Sequence, residues 1–183
     1  MQNIEINNEG ICLQAQFIPS PNFDTRQDQK DICLIVIHNI SLPPNIYGGD
    51  GVKQLFTNQL NPTEHPYYAE IAHLKVSSHF FIKRDGQLIQ FVPCSQRAWH
   101  AGVSTWEGRT SCNDFSIGIE LEGSDFEAFE PKQYVTLKLL LNALKAKYPI
   151  KAVTGHSNIS PGRKSDPGPY FDWNAISTDA VNT

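Results

Sequence analysis

The run Ile32-Cys33-Leu34-Ile35-Val36-Ile37, closed by His38, constrains the fold more than any other feature of this chain. It is continuous, apolar and rich in β-branched side chains. That is the signature of a central strand covered on both faces, because a half-exposed strand would alternate apolar with polar residues. A strand of that kind needs layers above and below it. With 183 residues, 40% of them hydrophobic and 19% charged, the chain can supply them within one domain. The expectation is an α/β fold: a single domain, 1–183, with a central mixed β-sheet flanked by helices.

Other segments fit that frame. Residues 10–31 read as an irregular lead-in, and 39–51, with Pro43, Pro44, Gly48 and Gly49, as a loop before a short helix over 52–60. Two β-rich segments, 78–84 and 87–92, flank Asp85-Gly86, a dipeptide favoured in type I′ turns, and predict a hairpin. Residues 115–122 read as another strand. Tyr134, Leu137, Leu141 and Leu144 recur at helical spacing between Pro131 and Pro149. A short strand over 151–155, a Pro-rich loop over 157–170 and a last short helix over 172–177 complete the pattern.

Bulk properties exclude several partners. A net charge of −4 provides no general attraction for nucleic acid or an anionic membrane, so an acidic ligand would need a local cation. Neither an export signal nor a membrane span is visible, which predicts a cytoplasmic protein. Cys12, Cys33, Cys94 and Cys112 are scattered without C-x-x-C pairs and are expected to be reduced, buried thiols.

His38 ends its strand where the chain enters a Pro/Gly-rich loop, a common position for functional groups in α/β sheets, although a packed core histidine would look the same. His156 also follows a short strand. The loop behind it carries Lys164 and Asp166 with no hydrophobic periodicity to justify it by packing, and reads either as a site or as a solvated surface loop. Two imidazoles and a carboxylate would suit zinc with one coordination position left open for water. Spacing alone does not establish such a centre, because no H-E-x-x-H helix links these residues.

In chain order, His38 after its strand, Ser77-Ser78-His79, Ala98-Trp99-His100-Ala101-Gly102, Ser116-Ile117-Gly118-Ile119-Glu120-Leu121, and Thr154-Gly155-His156 through Lys164-Ser165-Asp166-Pro167-Gly168-Pro169 resemble the zinc-dependent N-acetylmuramoyl-L-alanine amidases. That family shares its fold with peptidoglycan recognition proteins, and the resemblance spans about residues 15–175. Within the family the chain is most similar to the cytoplasmic branch that recycles wall fragments bearing a 1,6-anhydro sugar.

The resemblance implies Zn2+ as cofactor, His38, His156 and Asp166 as its ligands, Glu120 as the acid/base residue, and Lys164 as a cation at the scissile carbonyl. Period-2 alternation agrees for Glu120, placing it with Ser116, Gly118 and Glu122 opposite Ile117, Ile119 and Leu121, where Gly118 would leave room beside the carboxylate. A solvated strand edge would show the same pattern. His79 and His100 fall inside matched motifs as cleft-lining groups or supports for the ligands. Lys75 stands where an arginine for the peptide stem's carboxylate is expected, keeping the charge without the planar fork. Arg109 and Arg97 are further candidates for anionic groups. Trp99 and Trp106 are candidates for stacking on sugar, with a core role open for at least one. The implied substrate is a small soluble muropeptide, cut between N-acetylmuramic acid and L-alanine by a monomer. The competing readings are a non-catalytic wall-fragment receptor on the same fold and an exported amidase acting on polymeric wall.

Overall fold

A computed structural model describes residues 3–177. The single-domain expectation over 1–183 extends to residues 1–2 and 178–183, which lie outside the described residues. Ten strands and four helices follow in chain order: β1 Gln16–Phe17, β2 Phe23–Thr25, β3 Leu34–Ile40, α1 Gly51–Phe56, α2 Pro66–Ile71, β4 Phe80–Ile82, β5 Leu88–Gln90, β6 Gln96–Ala98, β7 Thr105–Trp106, β8 Arg109–Thr110, β9 Ser116–Glu122, α3 Pro131–Lys147, β10 Ala152–Gly155 and α4 His156–Ile159. Six strands form one mixed sheet in the order β1-β5-β4-β9-β3-β10, in which only the β4–β5 hairpin is antiparallel. The ribbons β2–β6 and β7–β8 lie outside it.

The expected central strand is β3, which begins at Leu34 and continues past His38 to Ile40 instead of ending there. It pairs in parallel with β9 on one side and β10 on the other, and Leu34 to Ile37 are fully buried. Its two faces have different covers. Ile35 and Ile37 pack with Ile117, Ile119 and Leu121 against Leu137, Leu140, Leu141 and Leu144 of α3. Leu34 and Val36 pack instead with Ala101, Phe115 and Ile159. Gln133 locks α3 to the sheet, since its buried amide donates to the Ile82 carbonyl at 3.1 Å and the Glu122 carbonyl at 3.0 Å. All seven residues of β9 are buried, because β3 and β4 flank it. Glu120 and Glu122 therefore do not form a solvated edge.

Several local expectations need correction. Only Gly86 adopts a positive φ in the hairpin, with its N–H donating to the Lys83 carbonyl, so the connection is a three-residue turn with a glycine bulge rather than type I′. The helix expected over 52–60 stops at Phe56, and the one expected over 172–177 is a single 3-10 turn, Asn174–Ile176. Helix α2 was not anticipated. The loop after β10 opens with the short helix α4, and the lead-in over 10–31 contains β1 and β2. All four cysteines are free and buried, and no helix among the described residues is long and apolar enough to cross a membrane.

Arg26, one residue past β2, is the main polar tie beneath the sheet. Its guanidinium donates to the carbonyls of Asn113 at 3.0 Å, Asp114 at 2.7 Å, Gln96 at 2.9 Å and Ser116 at 2.9 Å. Burial pushes its pKa down to about 10, which still leaves it cationic at neutral pH. Removing it would orphan several buried acceptors together. Arg26→Met should lower unfolding free energy by at least about 3 kcal/mol in urea titration, whereas an unchanged midpoint would show that the tie contributes little.

Candidate functional site

Parallel pairing brings the candidate residues together. His38 sits on β3 opposite Glu120 on β9, and Gly155, the last residue of β10, pairs with Ile37. His156 therefore emerges next to His38 at the carboxyl ends of the strands, the usual place for a site in parallel sheets. The following loop folds back, secured by the Ser157 N–H donating to the Asp166 carbonyl at 2.9 Å. Asn39 adds a second tie, donating to the Pro167 carbonyl at 3.1 Å and to Asp125 Oδ1 at 2.6 Å.

The result is a triangle of donor atoms. His38 Nδ1, His156 Nδ1 and Asp166 Oδ2 lie 3.0 Å from one another on every side. His156 Nε2 lies 3.0 Å from the Ala101 carbonyl, which can only accept, so Nε2 carries the proton and Nδ1 presents a lone pair. At most one proton then remains to serve three contacts among electron-rich atoms. Such a cluster fits a cation, and a ligating histidine whose other nitrogen donates to a backbone carbonyl is a common support for a metal. Against the opposing effect of burial, protonated imidazoles would hold the Asp166 carboxyl well below its ordinary range, but burial lowers the pKa of His38 and favours its neutral form.

Glu120 completes the arrangement. It is 8% exposed, and its Oε2 has no hydrogen-bond partner among the described residues. Burial, and then the Asp166 charge, push its pKa well above the ordinary glutamate range, while Lys164 pulls the other way. A cleft of about 560 Å³ opens over these groups, lined also by Trp99, His100, Arg163 and Lys164. Arg163 donates to the Ala101 carbonyl at 2.8 Å and the Val103 carbonyl at 2.7 Å, fixing one wall to the other.

The remaining candidates separate. His100 lines the cleft, and its ring occupies the space left by Gly118, where an added Cβ would lie 2.4 Å from the ring. The glycine thus admits an imidazole rather than leaving room beside Glu120. Burial, then the neighbouring His38 and His79, hold the His100 pKa well below its ordinary value.

His79 does not reach the cleft. Its Nδ1 accepts the Gly118 N–H at 3.0 Å and its Nε2 faces the Gln96 carbonyl at 3.1 Å, in a layer closed off by Arg26. Burial and then the Arg26 charge push its pKa down to about 3. Arg109 is also remote, pairing with Asp31 and lying 3.8 Å over the Phe115 ring near the opposite end of β3. Arg97 pairs with Asp24 and Asp114. Trp106 packs with the Phe115 cluster, and Trp99 is left as the tryptophan of the cleft. Lys75 is exposed between Leu74 and Val76, both of which line the cleft. The sequence assigns no role to Arg26, Asn39 or Arg163, which do not stand out by type or spacing, and marks Ser116 only as part of the Glu120 motif.

Known proteins resemble this chain over most of its length. Residues 28–169 match the family model described as N-acetylmuramoyl-L-alanine amidase. The 1,6-anhydro-N-acetylmuramyl-L-alanine amidase AmpD of Citrobacter freundii is 54% identical over 167 residues, covering 90% of this chain and 89% of that protein. A crystal structure of a selenomethionine derivative of AmpD superposes with a TM-score of 0.90 at 53% identity, covering 92% and 96% of the two chains. The peptidoglycan recognition protein PGRP-SA of Apis mellifera shares the fold, with a TM-score of 0.56 at 15% identity over 86% of this chain and 91% of its own.

The Glu120 environment has a measurable consequence in metal-free protein. Its pKa in the folded chain lies above that in the unfolded chain, so the associated stability is present below the ordinary glutamate range and is lost as pH rises through the folded value. Glu120→Gln has no charge to bury. Its melting temperature relative to wild type should therefore climb as pH rises above the ordinary glutamate range, and a difference that stays flat or shrinks would contradict the buried-carboxylate assignment.

Proposed function

Because this chain belongs to the N-acetylmuramoyl-L-alanine amidase family, we propose that it hydrolyses the amide between 1,6-anhydro-N-acetylmuramic acid and L-alanine in soluble muropeptides. It would do so as one zinc metalloamidase domain, a cytoplasmic monomer engaged in peptidoglycan recycling. The observation that carries the reading is the convergence of His38 Nδ1, His156 Nδ1 and Asp166 Oδ2 beside the unpartnered oxygen of Glu120.

His38, His156 and Asp166 would hold the metal with a coordination position left for water. A zinc ion bound there supplies a water of pKa about 7 and polarises the scissile carbonyl. Glu120, placed across the strand pair from His38, takes a proton from the attacking water and returns it to the alanine nitrogen as the C–N bond breaks. The Lys164 ammonium, on the cleft wall, opposes the negative charge that grows on the carbonyl oxygen. Trp99 offers an apolar face to the sugar, with His100 beside it. Lys75, at the rim, would meet the peptide carboxylate. The AmpD similarity supports the soluble, anhydro-sugar substrate over polymeric wall.

Purified protein should contain about one zinc per chain, with His38→Ala, His156→Ala and Asp166→Ala each losing both metal and activity. Full zinc content in all three variants would remove the ligand assignment. Glu120→Gln should retain zinc while kcat drops by roughly two to four orders of magnitude, and near wild-type turnover would move the acid/base role elsewhere. Lys75→Ala should weaken binding of peptide-bearing substrate by about 1.5–3 kcal/mol with zinc unchanged. Product analysis by liquid chromatography and mass detection should show anhydromuropeptides cleaved much faster than intact sacculus. Efficient sacculus digestion without that preference would overturn the recycling role.

A further inference from the structure

Ser116, the first residue of β9, is fully buried and lies outside the cleft lining, yet it stands at the end of an unbroken chain of polar contacts leading to the metal triangle. Its Oγ is 2.6 Å from the Cys112 carbonyl and 3.2 Å from His100 Nε2, while His100 Nδ1 is 3.0 Å from His38 Nε2. The order of protons along this chain follows from its fixed end. A carbonyl oxygen has no hydrogen, so a contact of 2.6 Å between it and Oγ requires the serine hydroxyl proton to lie between them.

The hydroxyl then has only lone pairs for His100, so His100 Nε2 must be the donor. A neutral imidazole carries one N–H, which leaves His100 Nδ1 bare and able only to accept. His38 Nε2 faces that bare nitrogen and must carry the proton. His38 Nδ1 is thereby left as a lone pair directed at His156 Nδ1 and Asp166 Oδ2.

We propose that Ser116 is a positioning residue for the metal centre, fixing His38 as the Nε2–H tautomer through His100 so that Nδ1 is bare and ready to ligate. The inference rests on the zinc reading given above. His156 reaches the same state in one step, through the Ala101 carbonyl. Among the described residues His38 has no carbonyl partner and reaches that state in three steps, anchored at the Cys112 carbonyl. Gly118 is part of the device, because a Cβ there would lie 2.4 Å from the His100 ring that bridges Ser116 and His38. Without the serine, His100 can turn over its tautomer, and a proton on His38 Nδ1 would then stand where the metal must bind.

Two readouts test this on zinc-loaded, 15N-labelled full-length protein. Long-range 1H–15N spectra of the wild type should show His100 protonated on Nε2 and bare on Nδ1, and the opposite tautomer would overturn the proposal without recourse to any variant. Ser116→Ala, competed for zinc with a chromophoric chelator, should show a zinc dissociation constant raised roughly ten-fold or more. A purely structural role for the serine would lower the melting temperature of the metal-free variant while leaving its zinc affinity within about two-fold of wild type, and that result would overturn the proposal. A wild-type chain that takes up no zinc would instead fail the metal reading, and the His100 tautomer on the same sample would still decide the relay.

Discussion

The candidate site depends on the register between β3 and its two parallel neighbours. His38 opposes Glu120, and Ile37 opposes the last residue before His156, so proposed ligands and proposed acid/base group meet because of how the backbones hydrogen-bond. A slip of one residue would turn His38 toward the leucines of α3 and expose Ile37 to the cleft. That alternative is disfavoured by the apolar face of Ile35, Ile37, Ile117, Ile119 and Leu121, which has a place only against α3. The hydrophobic layer on one side of the sheet therefore sets the geometry of the polar chemistry on the other.

That polar side has to be satisfied at depth, since unpaired buried groups cost about 1–3 kcal/mol each. The fold answers with a second layer, in which Arg26 serves carbonyls from β6 to β9, His79 takes the Gly118 N–H, and His100 bridges Ser116 to His38. In this layer the same contacts that hold the segments together also fix which imidazole nitrogens are bare. The one atom left unpartnered at the cleft floor is a Glu120 oxygen, among the described residues. An unsatisfied group at that point is better explained by an incoming water or substrate than by packing.

How much of this was legible in the sequence depended on whether the signal was local. The central strand and α3 could be read because a doubly covered strand is continuously apolar and a one-sided helix repeats its leucines. Helix α2 could not, since Tyr68 is its only buried residue and Pro66 reads as a loop. The Asp85-Gly86 turn was misread because the same dipeptide serves both hairpin types and only the backbone distinguishes them.

At the site, His38 and Asp166 are 128 residues apart, so no spacing rule could join them and the ordered motifs of the family had to. Arg26 was invisible for the opposite reason. It looks like any charge in a lead-in segment, and the carbonyls it serves lie 70 to 90 residues away. His79 and Arg109 show the limit of motif reasoning, since being near a site in a motif or in the chain does not say which layer a side chain enters.

The central claim is that two imidazole Nδ1 atoms and one carboxylate oxygen hold zinc, and anomalous diffraction from crystals of the full chain at the zinc absorption edge tests it most directly. The account predicts one strong peak, about 2.0–2.2 Å from His38 Nδ1, His156 Nδ1 and Asp166 Oδ2 alike. A zinc-replete crystal with no peak among these atoms, or with one reached through the Nε2 nitrogens, would contradict it.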